Sequence, residues 1–203
     1  SKMIDLMISG YDFSTKTYER AFFYNGRIEL TGTPRCDLFF NKKLYLKFRE
    51  EICKEYGLDS SKKLVLYAPT FRVNSDCNEV YMDLKKVANS LSDDIQLLVR
   101  LHPNMSCDYK ISPEFACDVT KYPDMQELLA AVDILITDYS GCCMDMMIAS
   151  KPVILLLKDK DNYLSKERGV YFKIDELPFT KAYTDDELIE IILRDEYSDN
   201  VKK

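Results

Sequence analysis

The sequence predicts a doubly wound α/β fold, a parallel sheet with helices on both faces, and three observations support it. From about residue 60 onward, short β-like runs alternate with amphipathic helical stretches, the pattern of successive βαβ units. Several of the runs are continuously apolar, as strands buried on both faces are. A chain of 203 residues, 46% hydrophobic and 31% charged, is also long and apolar enough to bury a full core.

Taken in order, Met3 to Ser9 and Ile28 to Thr31 read as two strands joined by a helix at Ser14 to Tyr24, followed by a turn and a helix at Lys42 to Tyr56. One βαβ unit cannot bury both faces of a sheet. Residues 1–58 are therefore expected to be the remnant of a preceding domain with a hinge segment, or to pack onto the edge of the later sheet. Residues 59–203 form the doubly wound domain. Its strands are expected at Leu64 to Ala68, Ile95 to Leu101, Ala116 to Val119, Ile134 to Thr137 and Val153 to Leu157. Helices fall at Met82 to Leu91, Asp124 to Ala131 and Gly141 to Ser150, and the polar stretch Arg72 to Glu79 reads as a long βα loop. A last helix opens at Thr184, with Glu187 completing a capping box, Tyr183 and Leu188 spaced as a hydrophobic staple, and Leu188, Ile191 and Ile192 as its apolar face.

Composition narrows the function. A net charge of -6 gives no global basic field, so a nucleic-acid partner is not expected and any phosphate site must be local. No apolar stretch approaches the roughly 20 residues that span a bilayer, which points to a soluble or at most peripheral protein. The seven cysteines (36, 53, 77, 107, 117, 142 and 143) form no CxxC pair, and one histidine cannot complete a usual zinc quartet, so no metal site is expected. Cys142 and Cys143 lie in an apolar helix and read as packing residues.

The chemistry-bearing residues cluster at predicted strand ends. His102, the single histidine, follows the run Ile95 to Leu101, and Pro103 removes the next backbone donor, which puts the imidazole at a carboxyl strand end where ligands collect in open α/β sheets. It is either a ligand-facing group or a satisfied structural histidine. Thr137-Asp138-Tyr139-Ser140-Gly141 turns a strand into a helix, and the unpaired N–H groups of such a turn suit a phosphate, with Ser140 adding a hydroxyl and Gly141 admitting close approach. The alternative is an ordinary N-cap at Ser140 and a solvated turn aspartate at Asp138. One helical turn further, Asp145 either accepts from ribose hydroxyls or simply favours the helix N-terminus. Arg168, before Gly169, is a candidate phosphate clamp, with a surface ion pair to Glu167 or Asp161 as its alternative. Arg72 and Arg100 are second-tier cations, each with a structural ion pair as the competing reading, and Arg35 lies near the hinge.

Laid in order, Gly32-Thr33-Pro34-Arg35-Cys36-Asp37, Tyr67-Ala68-Pro69-Thr70-Phe71-Arg72, Arg100-Leu101-His102-Pro103, Thr137-Asp138-Tyr139-Ser140 and Asp159 through Tyr163 to Arg168-Gly169-Val170-Tyr171 make a more specific pattern. From about Asp5 to Tyr171 the chain resembles the CDP-glycerol glycerophosphotransferase family, the teichoic acid polymerases and primases of GT-B architecture. The resemblance implies a Rossmann-like donor half that binds CDP-glycerol or a related CDP-polyol, needing no cofactor beyond that substrate. It implies a pyrophosphate against Ser140 and Gly141 in the Thr137-Asp138 turn, a ribose near Asp145, and Arg168, Arg72 and Arg100 as phosphate-side cations. His102 then contacts the transferred phosphate or moves a proton. The implied acceptor is a polyol-phosphate or lipid-linked glycan, and the implied location is the cytoplasm, peripheral on the inner face of the cell membrane.

The resemblance further implies a second catalytic histidine in a missing N-terminal domain, so this chain alone is expected to hold nucleotide but to transfer poorly. Two departures stand out: the family's second serine after Thr-Asp-Tyr-Ser is here Gly141, and its phenylalanine before the helix acid is Met144. Two other readings stay open at this stage. One is a GT-B glycosyltransferase or epimerase using a UDP-sugar; the other is a non-catalytic nucleotide-binding or interaction domain.

Overall fold

The computed structural model describes residues 4–72, 80–102, 110–166 and 172–197. Two parallel sheets are present among them. The smaller pairs β1 (Leu6–Ser9) with β2 (Arg27–Leu30), with α1 (Asp12–Ala21) as the crossover. Ile4, Leu6 and Ile8, which share one face by strand alternation, are all exposed. This unit buries little by itself.

The larger sheet has six parallel strands, β3 (Lys63–Tyr67), β4 (Ile95–Val99), β5 (Cys117–Asp118), β6 (Ile134–Thr137), β7 (Val153–Leu156) and β8 (Thr180–Ala182), in the spatial order β5-β4-β3-β6-β7-β8. The strands step outward one way from β3 and then the other way from β6, so the winding reverses between these two neighbours. Such a reversal opens a crevice beyond the carboxyl ends of the flanking strands.

Side-chain alternation explains why the central runs are apolar throughout. In β3, Leu64 and Leu66 join one core with Leu98 and Leu135, while Val65 and Tyr67 join the other with Val99, Ile134 and Ile136. The first core is covered by α2 (Lys42–Tyr56), α4 (Met125–Ala131) and α5 (Cys142–Ile148) through Ile52, Leu128, Leu129 and Met146. The second is covered by α3 (Leu84–Ser90) and α7 (Asp185–Leu193) through Val87, Leu188 and Ile192. A further helix, α6 (Lys160–Lys166), follows β7.

The boundary expected at residue 58 falls differently in packing terms. Gly32 adopts φ +87, and a 3₁₀ helix at Pro34–Phe40 then buries Cys36 and Phe39 in the first core beside Phe48 and Ile52 of α2. Arg49 fixes α2 further, donating to the carbonyls of Ser60 (3.1 Å), Lys62 (2.5 Å) and Ala131 (2.9 Å) and to Asp133 Oδ2 (2.9 Å). Residues 34–56 thus belong with the six-stranded unit. The helix ends at Gly57, whose φ of 67 permits the left-handed turn in which Leu58 N–H bonds back to Cys53 O at 2.8 Å.

Smaller differences have local causes. β4 stops at Val99 because the N–H of Leu101 donates to the Thr120 hydroxyl (3.0 Å) instead of a ladder carbonyl. The capping box of α7 is shifted: Thr184 Oγ1 accepts from Glu187 N–H (3.2 Å), but Glu187 returns its bond to Tyr183 N–H (2.6 Å), and Tyr183 itself stays exposed. β8 and α6 were not anticipated, since a three-residue strand and a seven-residue polar helix carry too little periodicity. No helix among the described residues is long and apolar enough to cross a membrane.

Candidate functional site

A cavity of about 640 Å³ lies beyond the carboxyl ends of β3 and β6, within the size range of small-molecule sites. Pro69, Thr70, His102, Asp138, Tyr139, Ser140, Gly141 and Tyr163 line it on the sheet side. Tyr11, Phe13, Ser14, Thr17 and Tyr18 of the small unit line it from the other. The rings of Phe13 and Phe172 meet at 5.1 Å across that gap.

Three of the residues singled out in the sequence meet on this cavity. His102 is exposed, its ring stacked on Phe71 with centroids 5.7 Å apart. Ser140 Oγ accepts a long bond from Cys142 N–H at 3.4 Å. Gly141 has ordinary helical geometry, φ -63 and ψ -12, and a Cβ there would meet nothing within 4 Å. The glycine is thus not required by the backbone; what it leaves is empty space beside the turn. Among the next N–H groups, Cys143 bonds to Ser140 O (3.4 Å) and Met144 to Gly141 O (3.0 Å), so the turn's donors are already partly used.

Other expected contact residues are already engaged within the protein. Thr137 is fully buried, its hydroxyl donating to Ala68 O at 2.7 Å, which stitches β6 to the end of β3. Asp138 is not a solvated turn residue: its carboxylate accepts from Thr70 Oγ1 (2.5 Å), Thr70 N–H (2.9 Å), Tyr139 N–H (2.6 Å) and Arg72 Nη2 (2.8 Å). Arg72 is 5% exposed and lies behind the cavity wall, not on it. It makes a two-point pair with Asp159 (Nε 2.9 Å, Nη2 3.2 Å) and donates to Thr70 O at 2.6 Å. Burial works against its charge, but the bonds to Asp159 and Asp138 outweigh that and hold the guanidinium above its ordinary pKa.

Asp145 is also buried and engaged. Its oxygens accept from Arg35 (Nε 3.1 Å, Nη2 3.0 Å), Cys36 Sγ (3.3 Å) and Gln126 Nε2 (3.2 Å), so Arg35 ties the 3₁₀ helix to α5. A ribose would have to share or displace that pair. Arg100 turns away from the cavity toward Tyr122 O (3.2 Å); its Nε is buried without a hydrogen-bond partner, and burial lowers its pKa. It does not share a working face with His102, because the chain leaves the strand geometry after Val99. Arg168 and Pro103 lie outside the described residues. Cys142 and Cys143 are buried, and burial pushes the Cys143 thiol up to about 12, as befits packing residues.

Several lining groups escaped the sequence reading. Thr70, Tyr139 and Tyr163 stand inside the quoted motifs, and the two tyrosine rings stack at 3.7 Å and 10°. Tyr11, Ser14, Thr17 and Tyr18 carried no signal, since their place on the cavity depends on how the two units meet.

A parallel sheet with reversed winding, a ligand-sized cleft at the reversal and a second unit across it make this a doubly wound α/β protein of GT-B-like fold. The chain belongs to the family described as CDP-glycerol:poly(glycerophosphate) glycerophosphotransferase, which it matches over residues 1–203. It is 33% identical over 175 residues to the teichoic acid poly(ribitol-phosphate) polymerase of Bacillus spizizenii, covering 83% of this chain and 28% of that protein. It is 34% identical over 202 residues to the teichoic acid glycerol-phosphate primase of Bacillus subtilis, covering 94% and 51%. A solved structure of the wall teichoic acid polymerase TagF superposes with a TM-score of 0.84 at 31% identity, covering 98% of this chain and 52% of that one. The chain thus spans between about a quarter and a half of these relatives. A UDP-GlcNAc 2-epimerase from Neisseria meningitidis, 14% identical with a TM-score of 0.55, shares the fold alone.

Proposed function

We propose that this chain is the donor-holding half of an enzyme that transfers glycerol phosphate, or a similar polyol phosphate, from a CDP-activated donor to a hydroxyl of a growing teichoic-acid-like or capsular polymer. The observation that carries this reading is that His102, Ser140 and Gly141 line one cavity at the winding reversal of a chain that belongs to this family. The pyrophosphate lies against Ser140 and Gly141, and the transferred phosphate faces His102. An acceptor hydroxyl attacks the outer phosphorus, forming the new P–O bond as the bond to CMP breaks. The hydroxyl proton passes to a base, and CMP leaves with the electron pair of the broken bond.

Such a transfer depends mainly on positioning and charge neutralisation. Arg168 is the cation we assign to the donor phosphates, because a guanidinium binds two oxygens at once. Arg72, Thr137 and Asp145 shape the site from behind, and Asp138 forms part of its wall. The acceptor, a polyol phosphate or lipid-linked glycan, enters from the side of the small unit, and the enzyme works in the cytoplasm at the inner membrane face. No observation favours the UDP-sugar or the non-catalytic reading.

Two measurements on the full-length protein test this. Calorimetry is expected to show binding of CDP-glycerol and not of UDP-sugars. His102→Ala is expected to lower turnover by about 10²- to 10⁴-fold, the range for a group that moves a proton, with donor affinity nearly kept. Unchanged turnover removes His102 from the chemistry.

A further inference from the structure

We infer, resting on the donor reading above, that Arg72 is a positioning residue: it neutralises Asp138 behind the phosphate end of the cleft and thereby lets an anionic donor approach Ser140. The cleft poses an electrostatic problem. Asp138 lines the same cavity as Ser140 and Gly141, and Asp159 stands directly behind it, bonded to Tyr139 OH at 3.1 Å. A buried and a partly buried carboxylate repel a diphosphate ester, and in a desolvated site that repulsion is poorly screened. Among the described residues, Arg72 is the basic side chain that touches either of them, and it touches both.

The geometry requires an arginine. One edge of the guanidinium takes Asp159 at two points, Nη2 also reaches Asp138, and Nη1 holds Thr70 O, while Cζ lies 4.6 Å from the Tyr163 ring centroid and 5.0 Å from that of Tyr139. A lysine supplies the charge but not this fork or the stacking. Thr70, Asp138, Tyr139 and Tyr163, all cavity-lining, are thus fixed by one side chain that does not itself line it. Among the described residues the cluster still sums to one negative charge, from one arginine and two aspartates. Removing Asp159's charge therefore helps an anionic ligand, whereas a purely structural pair would give no such gain.

The test compares CDP-glycerol with uncharged cytidine as ligands of the full-length protein, by calorimetry and by NMR titration. Arg72→Met is expected to weaken CDP-glycerol about tenfold or more, a little over 1 kcal/mol, and to leave cytidine within about twofold. Adding Asp159→Asn to Arg72→Met is expected to recover most of the lost CDP-glycerol affinity without recovering thermal stability. Equal losses for both ligands, or no recovery in the double variant, overturn the inference. Should Arg72→Met not fold, Asp159→Asn alone decides: tighter CDP-glycerol with unchanged cytidine supports the inference, and weaker CDP-glycerol overturns it. Wild-type protein that binds cytidine but gains nothing from the diphosphate contradicts the donor reading itself, a result distinct from either.

Discussion

Gly141 offers a perturbation in which folding and binding are expected to move in opposite directions. Its φ of -63 and ψ of -12 suit any L-residue, and a Cβ there meets nothing within 4 Å, so neither the backbone nor the first side-chain carbon is strained. Replacing glycine at a compatible position narrows the unfolded ensemble and stabilises by about 0.4–1 kcal/mol. For a chain of this size each kcal/mol shifts Tm by about 2–4 °C, so Gly141→Leu is expected to melt between about 0 and 4 °C higher than wild type. The same side chain projects beside Ser140 into the space proposed for pyrophosphate, and CDP-glycerol affinity is expected to fall at least about tenfold. Gly141→Ser, which adds a hydroxyl and little bulk, is expected to keep or improve that affinity. The assays are differential scanning calorimetry and titration with CDP-glycerol. A leucine variant that binds the donor as well as wild type, or a serine variant that loses it, refutes the reasoning.

Other consequences concern the scaffold. Arg49→Met removes four bonds from a side chain 16% exposed and is expected to cost about 2–4 kcal/mol, visible as a lower urea midpoint, while donor affinity stays within about twofold. A midpoint at the wild-type value would show that α2 is held by packing alone. Lys151 donates to the carbonyls of Leu129, Ala130 and Val132, yet burial pushes its ammonium down to about 8. Because the unfolded chain then binds the proton more tightly than the folded one, wild-type stability is expected to rise between about pH 8 and 10.5 relative to Lys151→Met, by up to about 3 kcal/mol. Urea titrations at the two pH values check the sign, and a gap that shrinks with pH contradicts it. Arg35→Met releases the 3₁₀ helix from Asp145 and, with Arg35 itself half exposed, is expected to cost no more than about 1–2 kcal/mol, read by thermal melting. A cost above about 4 kcal/mol would mean that the pair is more desolvated than its exposure indicates.

The fold was legible wherever burial on both faces forced an unbroken apolar run. β6 has the expected bounds, Ile134–Thr137, and so does α2, Lys42–Tyr56. What local pattern could not reveal was partnership over distance. Arg72 and Asp138 are 66 positions apart, and Arg35 and Asp145 are 110 apart. An ion pair was an open reading for Arg72, but the sequence named no counterpart for any of the four. The turn at Ser140 and Gly141 and the imidazole at His102 were legible because strand ends that converge on one edge need no partner to be located. The hydroxyl-bearing wall from Ser14 to Tyr18 was not, because a helix between two short strands gives no sign of what it faces.

The central claim is that a cytidine diphosphate ester lies between the turn after β6 and the histidine after β4. A crystal structure of the full-length protein with CDP-glycerol tests it directly. The account predicts pyrophosphate oxygens at the Ser140–Gly141 turn and the glycerol-bearing phosphorus on the His102 side of the same cavity. Density for the donor in any other part of the molecule, with this cavity filled by water alone, contradicts it.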